Sequence, residues 1–131
     1  MASEMAVWAE AMPQGEGRKA SSRPVDLVHL SRYTLGERAL EREVLELVCA
    51  QSAIYVERLH AASSDKEWKD AAHSLKGSAR AIGAWRAAAA AEHAETLAGD
   101  SLAHGRTAKL REIESSLGEA RDYIGALLAD R

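Results

Sequence analysis

The sequence predicts an all-α protein, an antiparallel four-helix bundle with a short extra N-terminal helix. Hydrophobic residues make up 47% of the 131 positions, and many of them are alanine or leucine, which favour helix. The two prolines both lie in the first 24 residues, so the rest of the chain lacks the strongest helix breaker. Apolar residues recur at helical spacing in four long segments with short connections, and no segment shows strand-like alternation.

The first 23 residues differ in composition from the rest of the chain. Residues 13–19 combine proline, glycine and charged side chains, and Ser21-Ser22 follow, so this stretch buries little apolar surface. We therefore predict a flexible N-terminal tail over residues 1–23 and one bundle domain over residues 24–131.

The bundle is predicted to begin with a short helix and a long one. Asp26 can cap a short helix that contains Leu27, Val28 and Leu30. Thr34-Leu35-Gly36-Glu37 has the spacing of a capping box, which predicts a helix over about residues 36–61. Its inward residues are predicted to be Leu40, Val44, Leu47, Val48, Ile54, Tyr55 and Leu59.

Three further helices are predicted after residue 61. Ser64-Asp65-Lys66-Glu67 is a second capping box and opens a helix over about residues 65–82, which Gly83 ends. An alanine-rich helix runs from Trp85 to Leu97 and stops at Gly99-Asp100. The last helix starts at about residue 102 or 106 and ends near 129, with an apolar face formed by Leu110, Ile113, Leu117, Ala120, Ile124, Leu127 and Leu128.

Charge and composition exclude several classes of partner. The net charge of −3 gives no general attraction to nucleic acid or to an anionic membrane. No apolar run approaches the roughly 20 residues that span a bilayer, and the N-terminus lacks the pattern of a secretion signal. A single cysteine, Cys49, fits a reducing compartment and is expected to be a small buried or half-buried packing residue rather than a nucleophile. We expect a cytoplasmic monomer.

A metal site is not expected. Bundle metal sites use inward-facing clusters such as Glu-x-x-His from two helices. His29, His60, His93 and His104 do not have this spacing, and Glu92-His93 are adjacent instead of three residues apart. The sequence therefore lacks the metal ligands that a metal-binding bundle enzyme would need.

His73 is the residue that points most directly to function. On a helical wheel, its apolar neighbours from Trp68 to Ile82 lie within roughly 50° of one direction, and His73 points about 150° away from it. The imidazole should therefore face water. Gly77 follows one turn later, although glycine inside a helix costs about 1 kcal/mol relative to alanine. A surface that brings another molecule close to the imidazole accounts for both residues.

Three cations accompany this histidine. Lys69, Lys76 and Arg80 fall within about 60° of His73 on the same wheel. One interpretation is an ordinary solvated basic face. The other is a surface that stabilises a phosphoryl group on the imidazole or attracts an acidic partner.

The segment His73-Ser74-Leu75-Lys76-Gly77-Ser78-Ala79, followed by Gly83-Ala84, resembles the signature of histidine-containing phosphotransfer (HPt) domains. Thr34-Leu35-Gly36, the tryptophan five residues before the histidine, and residues 91–95 also resemble bacterial members. The resemblance covers about residues 24–128. It implies an up-down-up-down four-helix bundle with the histidine exposed midway along one helix.

The resemblance also implies roles for individual residues. His73 would carry the phosphoryl group, and Glu95 stands where the family commonly has a glutamine or glutamate that orients the imidazole. Lys76 would pair with the phosphoryl oxygens, and Gly77 would leave space for the partner's active site. Lys69 and Arg80 would contact or steer the partner.

The implied partners are response-regulator receiver domains and a hybrid histidine kinase. The chain has no phosphate-binding loop of the G-x-x-x-x-G-K-[ST] type and no glycine-rich nucleotide lid, so we expect no autokinase activity. It also lacks the acidic pocket of a receiver domain. The Mg²⁺ used in transfer would therefore belong to the partner, and no cofactor is expected on this chain. An alternative function is a helical adaptor that docks on receivers or kinases without being phosphorylated.

Overall fold

The structure, a computed structural model, describes residues 23–97 and 103–131, except for the side chains of residues 103 and 104. Within these ranges it contains helices and no strands, as predicted. The helices are α1 (Leu27–Thr34), α2 (Arg38–Ala61), α3 (Asp65–Ala81), α4 (Trp85–Glu95) and α5 (Ala103–Ala129). The predicted tail over residues 1–23 and the predicted stop at Gly99-Asp100 lie outside the described residues, apart from Arg23.

The long helices form a helical bundle around one core. Helix α3 contacts α2 and α4, α5 contacts the same two helices, and α1 contacts α2. Alanines along one face of α4 are buried, which lets the helix axes approach closely. The largest fully buried side chains of the core are Val25, Leu30, Leu45, Leu75 and Ile113.

The connection between α1 and α2 differs from the prediction. Asp26 caps α1 as expected, because its side chain accepts a hydrogen bond from the His29 amide at 3.1 Å. Thr34, however, is the last residue of α1 and does not cap α2. Its hydroxyl donates to the Glu41 carboxylate at 3.3 Å. The capping-box prediction was therefore wrong, since sequence spacing does not reveal that a hydroxyl belongs to the preceding helix.

The inward face of α2 was also predicted only in part. Val48, Tyr55 and Leu59 are buried as expected, and Leu45 joins them. In contrast, Leu40, Leu47 and Ile54 are exposed: 37%, 43% and 48% of their surface is accessible. These three residues each precede a buried residue of the helix by one position, which turns them about 100° away from the core.

Helix α3 begins and ends as predicted. The Ser64 hydroxyl accepts a hydrogen bond from the Glu67 amide at 3.1 Å, and the Glu67 carboxylate accepts one from the Ser63 amide at 2.8 Å. At the other end, Gly83 adopts a positive φ of 70°. The Ala84 amide then donates to the Ala79 carbonyl at 2.9 Å, which closes a Schellman motif. Helix α3 is thereby fixed in length on both sides of His73.

The last two helices have the predicted faces with small shifts at their ends. Helix α4 ends at Glu95, two residues before the predicted Leu97. Helix α5 begins at Ala103, close to the earlier of its two predicted starts. None of the helices in the described ranges is long and apolar enough to cross a membrane.

Candidate functional site

His73 lies midway along α3 on the side opposite its buried residues. Trp68, Ala72, Leu75 and Ala79 of the same helix are all buried in the core. The His73 side chain is 48% exposed. The predicted exposure of this imidazole is therefore confirmed, and the ring is accessible to a second molecule.

Glu95, at the end of α4, contacts both His73 and Lys76. His73 Nδ1 lies 2.9 Å from Glu95 Oε2, and Lys76 Nζ donates to Glu95 Oε1 at 2.8 Å. The side chains of Glu95 and Lys76 are 25% and 16% exposed. The contact between Glu95 and His73, which the resemblance implied, is thus present, and Lys76 completes a chain of three side chains.

A buried tryptophan fixes the end of α4 beside α3. The indole Nε1 of Trp68 donates to the Ala94 carbonyl at 2.7 Å, one residue before Glu95. The Arg106 guanidinium lies 5.0 Å above the Trp68 ring, a cation–π contact from α5. Trp68 therefore links α3, which carries His73, to the end of α4, which carries Glu95.

Glu95 is ionised at neutral pH. Partial burial raises the pKa of its carboxyl and is the largest single influence, but hydrogen bonds from Lys76 and His73, with their charges, together lower this pKa below its ordinary value of 4.5. Because the folded state has the lower pKa, the contribution of Glu95 to stability is present above pH 4.5 and is lost as pH falls through the folded-state pKa.

The other predicted site residues surround this group without forming one cluster. Arg80 pairs with Glu92 of α4. Lys69 is exposed, and Gly77 is half-buried, one turn after His73. The predicted basic stripe is therefore divided: Lys76 and Arg80 are held by carboxylates of α4, and Lys69 points to solvent.

A groove between α2 and α3 opens beside His73, and the sequence alone did not predict it. It encloses about 510 Å³ and is lined by Arg58, Ala61, Ala62, Glu67, Asp70, Ala71, His73 and Ser74. Asp70 is paired with Lys66 at 2.6 Å, and the hydrogen bond from Lys66 lowers the pKa of the Asp70 carboxyl. The lining combines three alanines with charged side chains of both signs, so the groove offers both apolar and polar contacts to a second molecule.

The exposed apolar side chains of α2 lie on the same side of the bundle as this groove. Leu40, Leu47 and Ile54 fall within about 40° of Arg58 on a helical wheel, and Arg58 lines the groove with His73. Exposed apolar side chains therefore recur along α2 on the side that carries Arg58.

His29, His60 and Cys49 contact residues other than His73, Lys76 and Glu95. His29 is buried, with its ring edge-on to the rings of Tyr33 and Trp85. His60 Nε2 lies 3.2 Å from Glu114 Oε1. Burial raises the pKa of the half-buried Cys49 thiol, which disfavours the thiolate. Among the side chains that the structure describes, no three metal-ligating groups converge.

A comparison with protein families identifies the family of this chain. The family model described as Hpt domain matches residues 43–130, more than half of the chain. The chain belongs to the Hpt domain family. The matched segment contains most of α2 and all of α3 and α4, and therefore His73, Lys76 and Glu95. No match was found among curated proteins or among solved structures.

Membership of this family gives the general function. Hpt domains act in phosphorelays, in which they interact with receiver domains and kinases. A role in phosphoryl transfer therefore follows for this chain, and the described residues contain an exposed histidine in a suitable setting.

Proposed function

We propose that this Hpt domain relays a phosphoryl group between receiver-domain aspartates, with His73 as the phosphoacceptor. The observation that carries the proposal is the 2.9 Å contact between His73 Nδ1 and Glu95 on an imidazole that is 48% exposed. A histidine that only contributed to packing would have no need of an oriented ring on an accessible surface.

The contact determines which ring nitrogen reacts. An ionised carboxylate only accepts hydrogen bonds, so Nδ1 carries the proton and donates to Glu95 Oε2. The lone pair of the neutral ring is then on Nε2, the nitrogen that attacks phosphorus. Positioning of this nucleophile is the contribution of the Hpt domain, and charge stabilisation comes mainly from the receiver with its Mg²⁺.

The cations have different roles in the proposal. Lys76 is one turn from His73 and supplies positive charge near the transferred group. Lys69 is exposed and Arg80 lies further along the same helix, so these two are proposed to contact or steer the partner.

The partner is proposed to dock across α2 and α3. Receiver domains and a hybrid histidine kinase are the partner classes. Leu47 and Ile54 offer apolar contact on α2, and the groove beside His73 offers a cavity with a charged rim. Such a surface suits a transient complex with a modest apolar centre.

We also propose the antiparallel up-down-up-down arrangement for the four long helices. Residues 62–64 join α2 to α3, and residues 82–84 join α3 to α4. Three residues span at most about 11 Å, which is too short to return to the far end of a long helix. Helices α2 and α3 must then run in opposite directions, and so must α3 and α4.

The proposal is tested by incubation with a panel of receivers phosphorylated on aspartate. Label should move to this chain as an acid-labile, base-stable adduct, the behaviour of a phosphorylated imidazole, and should return to a second receiver. Complex formation without any label on this chain, for every receiver tested, would support the adaptor function instead.

Gly77 is predicted to be a clearance residue for the docked receiver. Gly77→Gln should leave the fold intact and slow transfer by about 100-fold, because a displacement of the reacting groups by about 1 Å has an effect of that size. Gly77→Ala should raise the free energy of unfolding by up to about 1 kcal/mol. Transfer rates and urea denaturation measure the two effects. A native transfer rate in Gly77→Gln would show that close approach at this position is unnecessary.

A further inference from the structure

The Glu95 carboxylate serves two donors at the same time, one on each oxygen. Oε2 is 2.9 Å from His73 Nδ1, and Oε1 accepts from Lys76 Nζ at 2.8 Å. The Lys76 side chain is only 16% exposed, so its ammonium group depends on this carboxylate more than a surface lysine would. A glutamine at position 95 would present one oxygen to these two donors.

We propose that Lys76 makes an acid necessary at position 95, and that the Lys76–Glu95 pair holds the proton on His73 Nδ1 through both halves of phosphoryl transfer. This inference rests on the proposed function and adds to it. Lys76 is then a positioning residue that acts on the imidazole through Glu95, in addition to any attraction for the phosphoryl group.

The chemistry of both half-reactions needs no proton movement if Nδ1 stays protonated. In acceptance, the Nε2 lone pair attacks phosphorus, the Nε2–P bond forms, and the P–O bond to the receiver aspartate breaks with its electron pair leaving on the aspartate carboxylate. The phosphorylated ring, protonated on Nδ1, carries a positive charge that Glu95 balances. In release, the acceptor carboxylate attacks phosphorus, the Nε2–P bond breaks, and its electron pair returns to Nε2, which restores the neutral ring.

Without the Nδ1 proton, release would have to expel an anionic imidazole, a much poorer leaving group. The net negative charge of Glu95 favours the protonated ring, whereas a neutral amide in its place supplies no such charge. Hence the same carboxylate orients the ring for attack and prepares it for release.

Asp70, Arg58 and Glu67 are charged groups of the described residues that lie near His73. On α3, the Asp70 charge interacts with His73, but its carboxylate is hydrogen-bonded to Lys66 at 2.6 Å. From α2, Arg58 lines the groove beside the ring, and Glu67 of α3 is hydrogen-bonded to Ser63. Because Glu95 is within hydrogen-bond distance of Nδ1, we expect the tautomer of the neutral ring to respond to a change at position 95.

The test measures the ratio of the Nδ1–H to the Nε2–H tautomer of His73 by ¹⁵N NMR, on the unphosphorylated protein at alkaline pH, where imidazole rings are neutral. Glu95→Gln should lower this ratio by about tenfold, because the charged lysine is the stronger competitor for the single amide oxygen. Combining Glu95→Gln with Lys76→Met should restore the ratio, since the amide oxygen is then available to Nδ1. Glu92→Gln, which breaks the neighbouring ion pair with Arg80, is the matched control and should leave the ratio unchanged.

Two results would overturn the inference: a native ratio in Glu95→Gln, or no recovery in the double variant. Amide NMR spectra of each variant establish that the bundle is folded. The tautomer ratio requires no receiver, so it tests this inference even if no receiver phosphorylates the protein. In that event the proposed function would fail separately.

Discussion

His73→Gln is expected to abolish phosphoryl acceptance while leaving the fold intact. The side chain is 48% exposed and lies opposite the buried face of α3, so its replacement removes no core contact. Surface changes of this kind usually alter the free energy of unfolding by less than about 0.5 kcal/mol. Glutamine has no nucleophilic nitrogen, so incubation with a phosphorylated receiver should yield no acid-labile adduct.

His93→Gln is the matched control for this experiment. His93 is an exposed histidine on α4, two residues before Glu95, and it has no place in the proposed site. This variant should accept phosphate at the native rate. Labelling that persists in His73→Gln but disappears in His93→Gln would contradict the assignment and place the phosphoacceptor on the neighbouring helix.

The exposure of His73 could be predicted from sequence because it depends on one helix. Helical periodicity alone separates Trp68, Leu75 and Ala79 from the imidazole. The ends of α3 were predictable for the same reason. Ser64 caps the helix through the nearby Glu67 amide, and Gly83 ends it through its own positive φ. Local chemistry thus determined the helix that carries the site.

The partners of His73 depend on packing between helices, which periodicity does not describe. Glu95 was reached through resemblance to a family, and its second contact, with Lys76, was not predicted. The helical wheel places Lys76 in a basic stripe with Lys69 and Arg80. The structure shows that it is bound to a carboxylate of α4. That contact depends on how closely α3 and α4 approach. Buried alanines of α4 and the hydrogen bond from the Trp68 indole to the Ala94 carbonyl set this distance.

The exposed face of α2 shows the same limit. Leu40, Leu47 and Ile54 repeat every seven residues, as core positions do, and were predicted to be inward. Leu47 and Ile54 each precede a buried apolar residue, so the sequence alone does not show which of the two adjacent positions faces the core. Leu40 precedes Glu41, a buried charged residue that hydrophobic periodicity does not identify as a core position. Here the core lies toward Glu41, Val48 and Tyr55, which leaves the two leucines and the isoleucine on the side of α2 that carries Arg58.

Gly83→Ala is expected to cause the largest loss of stability among these variants. Gly83 has a φ of 70°, which costs a residue with a side chain about 1–2 kcal/mol. A Cβ at this position would lie 2.5 Å from the Asp26 Cβ and 2.9 Å from the Asp26 carbonyl oxygen. Asp26 has little freedom to move, because its amide donates to the Gly83 carbonyl at 3.0 Å and its carboxylate accepts from the Trp85 indole at 3.1 Å.

The conformational cost and the steric clash together should lower the free energy of unfolding by about 2–4 kcal/mol, measured by urea denaturation. Gly36→Ala separates the two contributions. Gly36 has a similar φ of 76°, but nothing lies within 4 Å of its Cβ position, so only the conformational cost of about 1–2 kcal/mol should appear. Equal losses in the two variants would show that the contact between Asp26 and Gly83 relaxes freely. A larger loss for Gly83→Ala would show that this contact rigidly joins the start of α1 to the end of the helix that carries His73.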